Sequence, residues 1–389
     1  MVKELAESLS AAGHDVTIIT GFPNHPSGVV FGGYVKKWLL RERNEGVNIE
    51  RVWLATSGNR SKLMRILSFL TFTMTSSLAL LRQRKPDLIF AVFQPLSMGV
   101  TLPFLAKIKK ARLVLNVQDL HPDVPIELGM IRNPFLIKIL RSIERWGYAQ
   151  ANGLAVICDS FKTHCIARGA KPAQVAVIPN WIDLDEVKPA EKDNPFRRSL
   201  GLSSDHFVVL YAGTVGWVSG AEVMLEVAKS LQDLENVRIV FVGEGPVLPQ
   251  LKQDAETQGI GNIIFAPFQP RNILSQVQGM ADVSVVSLKK GKGRASVPSK
   301  VLGYMAAARP VLASVEPNSE TARTVMQSGC GLVVDPEDPI QLADAIRRLH
   351  ADPQSGVRLG KSGREFLEKN FSRTSVIDRY STFFKSIIQ

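Results

Sequence analysis

The chain has 389 residues, of which 45% are hydrophobic and 21% charged, with 29 glycines and 22 prolines spread along it. This length allows two to four domains with their own cores, and the composition is that of a folded globular protein rather than a disordered or collagen-like one. The cysteines, Cys158, Cys165 and Cys330, form neither a CxxC pair nor a Cys/His cluster. They exclude a disulfide framework and a structural zinc site, and they fit a reducing compartment.

Positive charge is concentrated in the first half of the chain. The formal net charge is +11, and residues 1–189 hold 24 Lys and Arg against 15 Asp and Glu, whereas residues 190–389 hold 23 against 21. Such a surface attracts polyanions, which leaves phosphate-bearing substrates, anionic lipid headgroups and nucleic acid open. The sequence contains no zinc finger, RNP motif or basic-aromatic repeat, so we expect no nucleic-acid partner.

The segments that bear on localisation are the first residues and one long apolar stretch. The opening residues alternate charged and apolar side chains at helical spacing, unlike a signal peptide, so we expect a cytoplasmic protein. Residues 63–81 are apolar, but Arg65 lies among them and basic residues flank them, which makes a poor transmembrane helix. A buried helix, an interfacial helix and a true span remain as interpretations.

Short β-rich apolar runs alternate with helical stretches almost from end to end, a pattern typical of parallel α/β sheets. The predicted strands cover 14–20, 87–93, 112–118, 153–159, 207–213, 237–243, 262–267, 281–288, 310–314 and 331–334. The alternation of strands and helices is lost between 185 and 200, where prolines and charged residues are frequent, so we place an interdomain linker there.

The linker divides the chain into two α/β domains, residues 1–184 and 201–370, followed by a last helical segment, 371–389. Ligands of open parallel sheets bind beyond the carboxyl ends of the strands, so two facing domains would enclose a cleft. Doubly wound domains ordinarily open with a strand and a ligand-facing turn, whereas the first predicted strand here follows a helix. We therefore expect the first domain to lack that strand and its Gly-rich turn.

Two glycine-containing turns follow neighbouring predicted strands of the second domain. The first is AGTVGWVSGAE, with Gly213, Gly216 and Gly220, and the second is VGEGP, residues 242–246. Glycines let backbone N–H groups approach a phosphate, and the dipole of the following helix favours its negative charge. A tight strand-to-helix turn without a ligand is the alternative for either turn alone, but the pair favours a nucleotide site.

A cationic loop precedes a later helix. Lys289, Lys290, Lys292 and Arg294 lie before a helix that is predicted to open at Pro298 and Ser299 and to hold Lys300 in its first turn. Such a loop suits a pyrophosphate, although a solvated run of charge has the same composition.

These motifs together make the sequence similar to family-four glycosyltransferases of the GT-B fold, in the branch that builds bacterial O-antigen, capsule and exopolysaccharide. The resemblance covers GHDVTIITGFPNHPSG, KPDLIFAVFQPL, QDLHPD, VIPNWID, AGTVG, VGEGP, PSKVLGYMAAARPV and GCGLVVDPEDP, in that order. It implies two Rossmann-like domains facing across a cleft: an acceptor-binding N-terminal domain and a donor-binding C-terminal domain, with a last helix that crosses back.

The resemblance also implies transfer of a sugar from a UDP- or GDP-sugar, with UDP favoured, with retention at the anomeric carbon and without an obligatory metal or a cofactor. Catalysis then depends on stabilising the charge of the leaving diphosphate. Lys300 is assigned this catalytic role, together with Arg294 and Ser299 at the diphosphate. The other donor-binding residues carried over are Gly213, Thr214 and Gly216 at the phosphates, Gly243, Glu244, Gly245 and Phe268 at the base, and Glu320 at sugar or ribose hydroxyls.

The sequence departs from the family pattern at two places in the donor domain. Many relatives carry two glutamates eight positions apart, of which the second binds ribose, and those places are Ala295 and Gly303 here. Relatives often carry Arg and Lys beside the first Gly-rich loop, where this chain has Trp217 and Ser219. We therefore expect the positive charge at the diphosphate to come from residues 289–300.

In the N-terminal domain, QDLHPD follows a predicted strand and places Asp119 and His121 at its carboxyl end. Either side chain can orient or deprotonate an acceptor hydroxyl, and we favour Asp119. Many relatives carry a histidine where Gln118 stands. Asp123 is also interpreted as a helix cap before Val124.

The expected acceptor, by family resemblance, is a sugar on a polyprenyl diphosphate carrier. A basic domain with the 63–81 segment is expected to dock on an anionic membrane, at the inner face of the plasma membrane. No metal site is expected, because the histidines are scattered. The rival functions are a UDP-sugar 2-epimerase of the same fold and a non-catalytic sugar-nucleotide-binding protein.

Overall fold

The computed structural model describes residues 1–24, 28–34, 37–56, 61–127, 129–291 and 300–389. The chain forms two compact units, of which unit 1 comprises Met1–Asn180 with Val376–Gln389 and unit 2 comprises Trp181–Ser375. Each unit is a Rossmann-like α/β assembly of mostly parallel strands with helices in the connections, as the strand pattern predicts.

Unit 1 contains two sheets. A three-stranded sheet has the order β1-β3-β2, and a four-stranded parallel sheet has the order β4-β5-β6-β7. The strands are β1 (Thr17–Gly21), β2 (Leu39–Asn44), β3 (Val47–Val52), β4 (Leu88–Val92), β5 (Arg112–Val117), β6 (Gly153–Val156) and β7 (Val175–Val177). The helices are α1 (Val2–Ala11), α2 (Lys62–Arg82), α3 (Met98–Lys109), α4 (Asp123–Glu127), α5 (Pro134–Gln150) and α6 (Asp159–Ala167).

The antiparallel pair β2 and β3 was not predicted from the sequence. Its turn residues Glu45 and Gly46 have φ values of 47° and 81°, as a two-residue hairpin turn of type I′ requires. Arg41 Nε lies 2.8 Å from Glu50 Oε1, and Arg51 Nε lies 2.9 Å from Glu42 Oε2. These cross-strand ion pairs explain how strands with so many charged residues form a hairpin.

Helix α2 covers the apolar segment 63–81. Among the described residues, one helix, Leu63–Arg82, is long and apolar enough to cross a membrane, and 28% of its most apolar 18-residue window is buried within the protein. Most of its large apolar side chains, such as Leu63, Leu70 and Met74, are exposed. The interpretation of this segment as a buried helix is therefore wrong.

Unit 2 is built on a six-stranded parallel sheet with the order β10-β9-β8-β11-β12-β13. The strands are β8 (Phe207–Ala212), β9 (Val237–Val242), β10 (Ile263–Ala266), β11 (Val283–Ser287), β12 (Val311–Ser314) and β13 (Gly331–Val334). The helices are α7 (Pro195–Ser199), α8 (Val223–Ser230), α9 (Leu248–Thr257), α10 (Leu274–Gly279), α11 (Lys300–Ala306), α12 (Glu320–Ser328), α13 (Pro339–Ala351), α14 (Pro353–Asn370) and α15 (Arg373–Ile388), which ends in unit 1.

The strand order of unit 2 reverses between β8 and β11. The chain runs outward from β8 through β9 to β10, and then returns to pair β11 with the other edge of β8. Side chains of successive β8 residues pack in different hydrophobic clusters on the two faces of the sheet. Val209 and Tyr211 belong to one cluster, and Val208 and Leu210 belong to the other. The reversal opens a crevice at the carboxyl ends of β8 and β11, which is where ligands bind in such sheets.

The segment 185–200 is not a linker but part of the body of unit 2. Val187 and Phe196 are buried in its core. The Arg197 side chain is 1% exposed and donates hydrogen bonds to the carbonyl oxygens of Ser203, His206 and Met280. The charge of this segment, which suggested a linker, is thus partly buried against backbone carbonyls, and the division between the units falls instead at Asn180.

The last helix, α15, begins in unit 2 and ends in unit 1. In unit 1, Tyr380 and Phe384 pack edge-on against Phe90 of β4, with ring centroids 5.6 and 5.2 Å apart from that ring. Phe383 closes over Gly153 at the start of β6, where a Cβ atom would lie 2.7 Å from Phe383 Cζ. The predicted last segment, 371–389, therefore contributes aromatic side chains to the first unit.

Candidate functional site

The two glycine loops lie side by side at the carboxyl ends of β8 and β9. The Gly213 N–H donates to Val242 O at 2.8 Å, and the Val215 N–H donates to Glu244 O at 2.9 Å. A Cβ atom on Gly243 would lie 2.0 Å from Gly213 O, and one on Gly245 would lie 2.2 Å from Val215 O. The glycines of the second loop are therefore required for direct backbone contact between the two loops.

The first glycine loop is anchored at both ends by buried hydroxyls. Tyr304 on α11 donates to Ala212 O at 3.1 Å, and its oxygen accepts from the Ala212 N–H at 2.9 Å. Burial raises the pKa of Tyr304, so this hydroxyl stays protonated. Ser287 at the end of β11 donates to Ser219 O at 2.7 Å. These contacts fix both ends of the loop at the crevice, while Thr214 and Trp217 between them are exposed.

Lys300 places a cation at this crevice. Its ammonium lies over the Tyr211 ring, 4.0 Å from the ring centroid. A Cβ atom on Gly213 would lie 3.7 Å from Lys300 Cε, which places the lysine stem beside the first glycine of the loop. The ring of Tyr211 attracts the charge and restricts where the flexible side chain can go. The structure thus brings together the predicted residues Lys300 and Gly213.

The loop that precedes α11 is less cationic in its described part than the sequence suggests. Lys289 Nζ lies 2.8 Å from Glu222 Oε1. The Lys290 N–H donates to Glu337 Oε2 at 3.1 Å, and the Gly291 N–H donates to Glu316 Oε1 at 3.2 Å. The charge of Lys289 is therefore already paired in the structure, and its contribution to a diphosphate site stays a prediction. Lys292, Arg294 and Ser299 lie outside the described residues.

The remaining predicted donor residues differ in exposure. Thr214, Glu244 and Phe268 are exposed, and Gly216 is half-buried. Glu320 Oε1 accepts from Arg323 at 2.6 Å within the first turn of α12. The Glu320 carboxylate, which is expected to bind sugar or ribose hydroxyls, therefore also accepts a hydrogen bond from the Arg323 guanidinium.

The position of the family's ribose-binding glutamate, Gly303, is buried on α11. A Cβ atom there would lie 2.7 Å from Gln278 Nε2, so the Gln278 carboxamide occupies the space that a larger side chain would need. Within the described part of the chain, Gln278 Oε1 is buried without a hydrogen-bond partner. A glutamate at 303 does not fit this arrangement unless Gln278 moves.

In unit 1, a polar pair lies at the carboxyl ends of β4 and β5. Gln94 Nε2 is 3.2 Å from His121 Nε2, whereas Asp119 is exposed. Burial lowers the pKa of His121, and the nearby Asp119 carboxylate opposes that shift. A neutral imidazole at neutral pH can accept a proton, so His121 has the protonation state of a general base. Gln118, by contrast, turns back to Asn116, with Nε2 2.9 Å from Oδ1.

Asp123 is an ion-pairing residue rather than a helix cap. Its carboxylate lies 3.2 Å from Arg141 Nη2 of α5 and 3.1 Å from Arg168 Nη2, which follows α6. His164 Nε2 in turn lies 2.9 Å from Oε1 of the fully buried Glu144. This network ties the segment after His121 to two helices.

Sequence reasoning missed Gln94, Tyr211 and Tyr304. Gln94 follows a predicted strand next to the one that precedes His121, and that adjacency was the available signal. Tyr211 and Tyr304 lie within apolar runs, where an aromatic residue is ordinarily assigned to the core.

Two family models cover nearly the whole chain. Residues 1–181 match the glycosyl transferase 4-like domain, and residues 192–366 match the glycosyl transferases of group 1. The chain belongs to these glycosyltransferases. The first match ends at residue 181, next to the end of the first segment of unit 1 at Asn180, and the second match lies within unit 2. Each model therefore describes most of one unit of this glycosyltransferase.

Named relatives and solved structures agree with this assignment. The glycosyltransferase is 28% identical over 386 residues to the putative colanic acid biosynthesis glycosyl transferase WcaI of Escherichia coli, covering 97% of this chain and 93% of the relative. It is 25% identical to the probable glycosyltransferase WbjE of Pseudomonas aeruginosa, over 79% and 76% of the two chains.

Among solved structures, sucrose-phosphate synthase from Thermosynechococcus elongatus superposes with a TM-score of 0.74 at 18% identity, over 99% of this chain and 92% of that one. Anabaena HepE in complex with UDP and glucose has a TM-score of 0.67 at 15% identity, over 88% and 87%. These likenesses show the GT-B fold of the glycosyltransferase.

Proposed function

We propose that this glycosyltransferase moves a sugar from a UDP-sugar, with retention of anomeric configuration, to a polyprenyl-diphosphate-linked sugar during bacterial surface polysaccharide synthesis. The names of relatives support the pathway class: colanic acid biosynthesis for WcaI and O-antigen chain synthesis for a mannosyltransferase that is 22% identical over 70% of the chain. The observation that carries the proposal is the Lys300 ammonium, held beside Gly213 at the switch point of the unit 2 sheet.

The donor chemistry follows from charge. As the bond between the anomeric carbon and the diphosphate oxygen breaks, negative charge grows on the leaving diphosphate. Lys300 and N–H groups of the first glycine loop other than those of Gly213 and Val215 stabilise that charge, with Arg294 and Ser299 as further expected contacts. The nucleotide sugar is a substrate, and neither a metal nor a cofactor is assigned a role.

The nucleobase of the donor is assigned to the side of the crevice that the second glycine loop forms. Phe268, which follows β10, offers an exposed ring for stacking, and Gly243, Glu244 and Gly245 offer backbone groups. UDP is favoured over GDP, in line with the HepE structures that contain UDP and UDP-glucose.

The acceptor hydroxyl is assigned to unit 1, at the end of β5. The acceptor oxygen forms the new glycosidic bond and its proton passes to a base. His121 is half-buried and bonded to Gln94, and the exposed Asp119 lies nearby, so both are retained as candidates for this base. Because the proposed acceptor is attached to a membrane lipid, we assign the enzyme to the inner face of the plasma membrane.

Calorimetry with UDP, GDP and UDP-glucose tests the donor half of the proposal. We expect micromolar affinity for UDP and weaker affinity for GDP; absence of affinity for both nucleotides overturns the proposal. Product NMR tests retention, because the anomeric coupling constant of the new bond must match that of the donor.

Two further readouts separate the rival functions. A 2-epimerase would exchange the proton at C2 of the donor sugar with deuterium from solvent, without an acceptor. A non-catalytic binding protein would bind UDP-sugars but release no UDP when a lipid-linked acceptor is added.

A further inference from the structure

Helix α2 turns several hydroxyl side chains toward the protein and most of its large apolar side chains outward, although Ala79 and Leu80 are buried. Thr73, Thr75 and Ser76 are buried. Thr73 Oγ1 lies 2.7 Å from Ser97 Oγ, and Thr75 donates to Trp53 O at 2.7 Å. Between 63 and 81 every exposed side chain except Arg65 is apolar. This arrangement is the reverse of an amphipathic helix on the surface of a protein in water.

Helices α3 and α5 continue the same apolar surface. Lys109 at the end of α3 donates to Leu81 O of α2 at 2.7 Å, and Lys107 donates to Gln150 Oε1 of α5 at 2.8 Å, so α3 lies between the other two. The connections from β4 to β5 and from β5 to β6 run in one direction, which places α3 and α5 on one face of the sheet. The exposed large apolar side chains are Val100, Phe104 and Ile108 on α3 and Phe135, Leu136, Ile139 and Trp146 on α5.

The surface is large and grooved. Phe104 is 63% exposed and Phe135 72%, and between α3 and α5 runs an open groove of about 440 Å³ that Val100, Ile139 and Trp146 help to line. Monomeric soluble proteins rarely leave so many large apolar side chains together in water. We call the exposed apolar side chains of α2, α3 and α5 the three-helix face.

The charges on the three helices are almost all positive. Their sequences hold eight lysines and arginines and one acidic residue, Glu144, which is fully buried. A second copy of the chain docked through this face would bring like charges together, which costs free energy. An anionic lipid surface instead complements the cations and accepts the apolar side chains at the same time.

We propose that the three-helix face is the membrane-docking surface of the protein, with the apolar side chains of α2, α3 and α5 inserted among the lipids of an anionic leaflet. Helix α2 lies along the surface and does not cross the bilayer, because its Thr and Ser side is bonded to the rest of unit 1. The proposal extends the membrane location given above, and it does not require that sugar transfer occurs.

The face is connected to the candidate acceptor residue through the start of α3. Helix α3 begins at Met98, shortly after Gln94, whose Nε2 lies 3.2 Å from His121 Nε2. Ser97, which precedes α3, is bonded to Thr73 of α2. The docking surface and His121 are thus joined by the short segment between Gln94 and α3.

Co-sedimentation of the full chain with vesicles, without donor, tests the docking surface. We expect binding to phosphatidylcholine vesicles that contain phosphatidylglycerol and much weaker binding to phosphatidylcholine alone. Replacing three exposed apolar residues by glutamine should lower the partition coefficient at least about tenfold. The three substitutions are Leu70→Gln, Phe104→Gln and Phe135→Gln, and the matched control in unit 2 is Met326→Gln, Ile340→Gln and Val357→Gln, which are equally exposed.

A second set of variants tests the charge. Removing three cations should weaken binding to anionic vesicles about a hundredfold and leave the weak binding to phosphatidylcholine unchanged. The charge variant combines Arg82→Gln, Lys138→Gln and Arg145→Gln, and its control combines Arg348→Gln, Lys361→Gln and Lys369→Gln on unit 2.

Three outcomes overturn the proposal. The first is a chain that stays in the supernatant with both vesicle types although circular dichroism shows it folded. The second is an equal loss of binding in the unit 2 control. The third is a dimer in sedimentation velocity that the apolar variant converts to a monomer, which would make the face an interface between copies. UDP affinity is measured separately by calorimetry. A variant that binds UDP but not vesicles has lost docking alone, so the failure of docking and the failure of the proposed sugar transfer are distinguishable.

Discussion

The ammonium of Lys300 rests on the ring of Tyr211, at the mouth of the crevice between β8 and β11. The contact connects the first residue of α11 with Tyr211, the penultimate residue of β8, which is buried. It gives a flexible lysine a fixed place beside the first glycine loop before any donor arrives, which reduces the entropy lost on binding.

Lys300→Ala should weaken UDP binding about tenfold to a hundredfold, because a charge-assisted contact to a phosphate contributes about 1.5–3 kcal/mol. Calorimetry measures the loss. The matched control is Lys252→Ala, since the Lys252 ammonium also lies over a ring, 5.7 Å from the centroid of Phe265, but on α9. Equal UDP affinity in wild type and Lys300→Ala would remove the main support for the donor site.

Tyr304→Phe should destabilise the protein by about 1–3 kcal/mol, because the N–H and carbonyl of Ala212 lose their shared partner. Thermal unfolding measures this change, and the KM for UDP-sugar should rise as the loop loosens. Tyr211→Phe provides the comparison, since the Tyr211 hydroxyl is buried without a hydrogen-bond partner within the described chain. Its removal should be neutral or stabilising.

Gly243→Ala should abolish donor binding and destabilise unit 2, because the new methyl group would lie 2.0 Å from the backbone oxygen of Gly213. Neither loop can move without breaking the backbone hydrogen bonds between them. Gly261→Ala is the control, since a Cβ atom there meets nothing within 4 Å. An active, stable Gly243→Ala variant would show that the two loops need not touch.

Activity should fall at low pH as His121 becomes protonated. Burial lowers the pKa of His121, so it lies below the ordinary value of 6.5, and the acidic limb of kcat/KM is expected below that pH. Asp119→Asn should lower the pKa of His121 further, because the variant removes the carboxylate that stabilises the imidazolium. NMR titration of the His121 ring gives the direction of the shift, and a rise in the pKa would contradict this placement of the two residues.

The ten strands predicted from apolar runs are all present, because buried parallel strands are continuous stretches of β-branched residues. The hairpin of β2 and β3 was missed since its charged residues neutralise one another only across the strands, as Arg41 and Glu50 do. β7 was missed because it is three residues long.

The candidate site was only partly readable from the sequence. Glycines at strand ends are a local signal, so the two glycine loops could be located, although their binding of phosphate stays a prediction. Lys289 pairs with Glu222, which is far from it in the sequence. The residues around neither position predict this contact. The hydrogen-bond acceptors of Arg197 are backbone carbonyls, which carry no sequence signal, and its ion-pair partner Asp282 lies far from it in the sequence.

The assignment of Val376–Gln389 to unit 1 means that this unit is built from two segments that lie on either side of unit 2 in the sequence. During synthesis, Phe90 and Gly153 are made long before Tyr380 and Phe384, the rings that cover them, leave the ribosome. Unit 1 must therefore wait for the whole of unit 2 to be translated before its packing is complete, and a nascent chain stalled before residue 376 should expose apolar surface to chaperones.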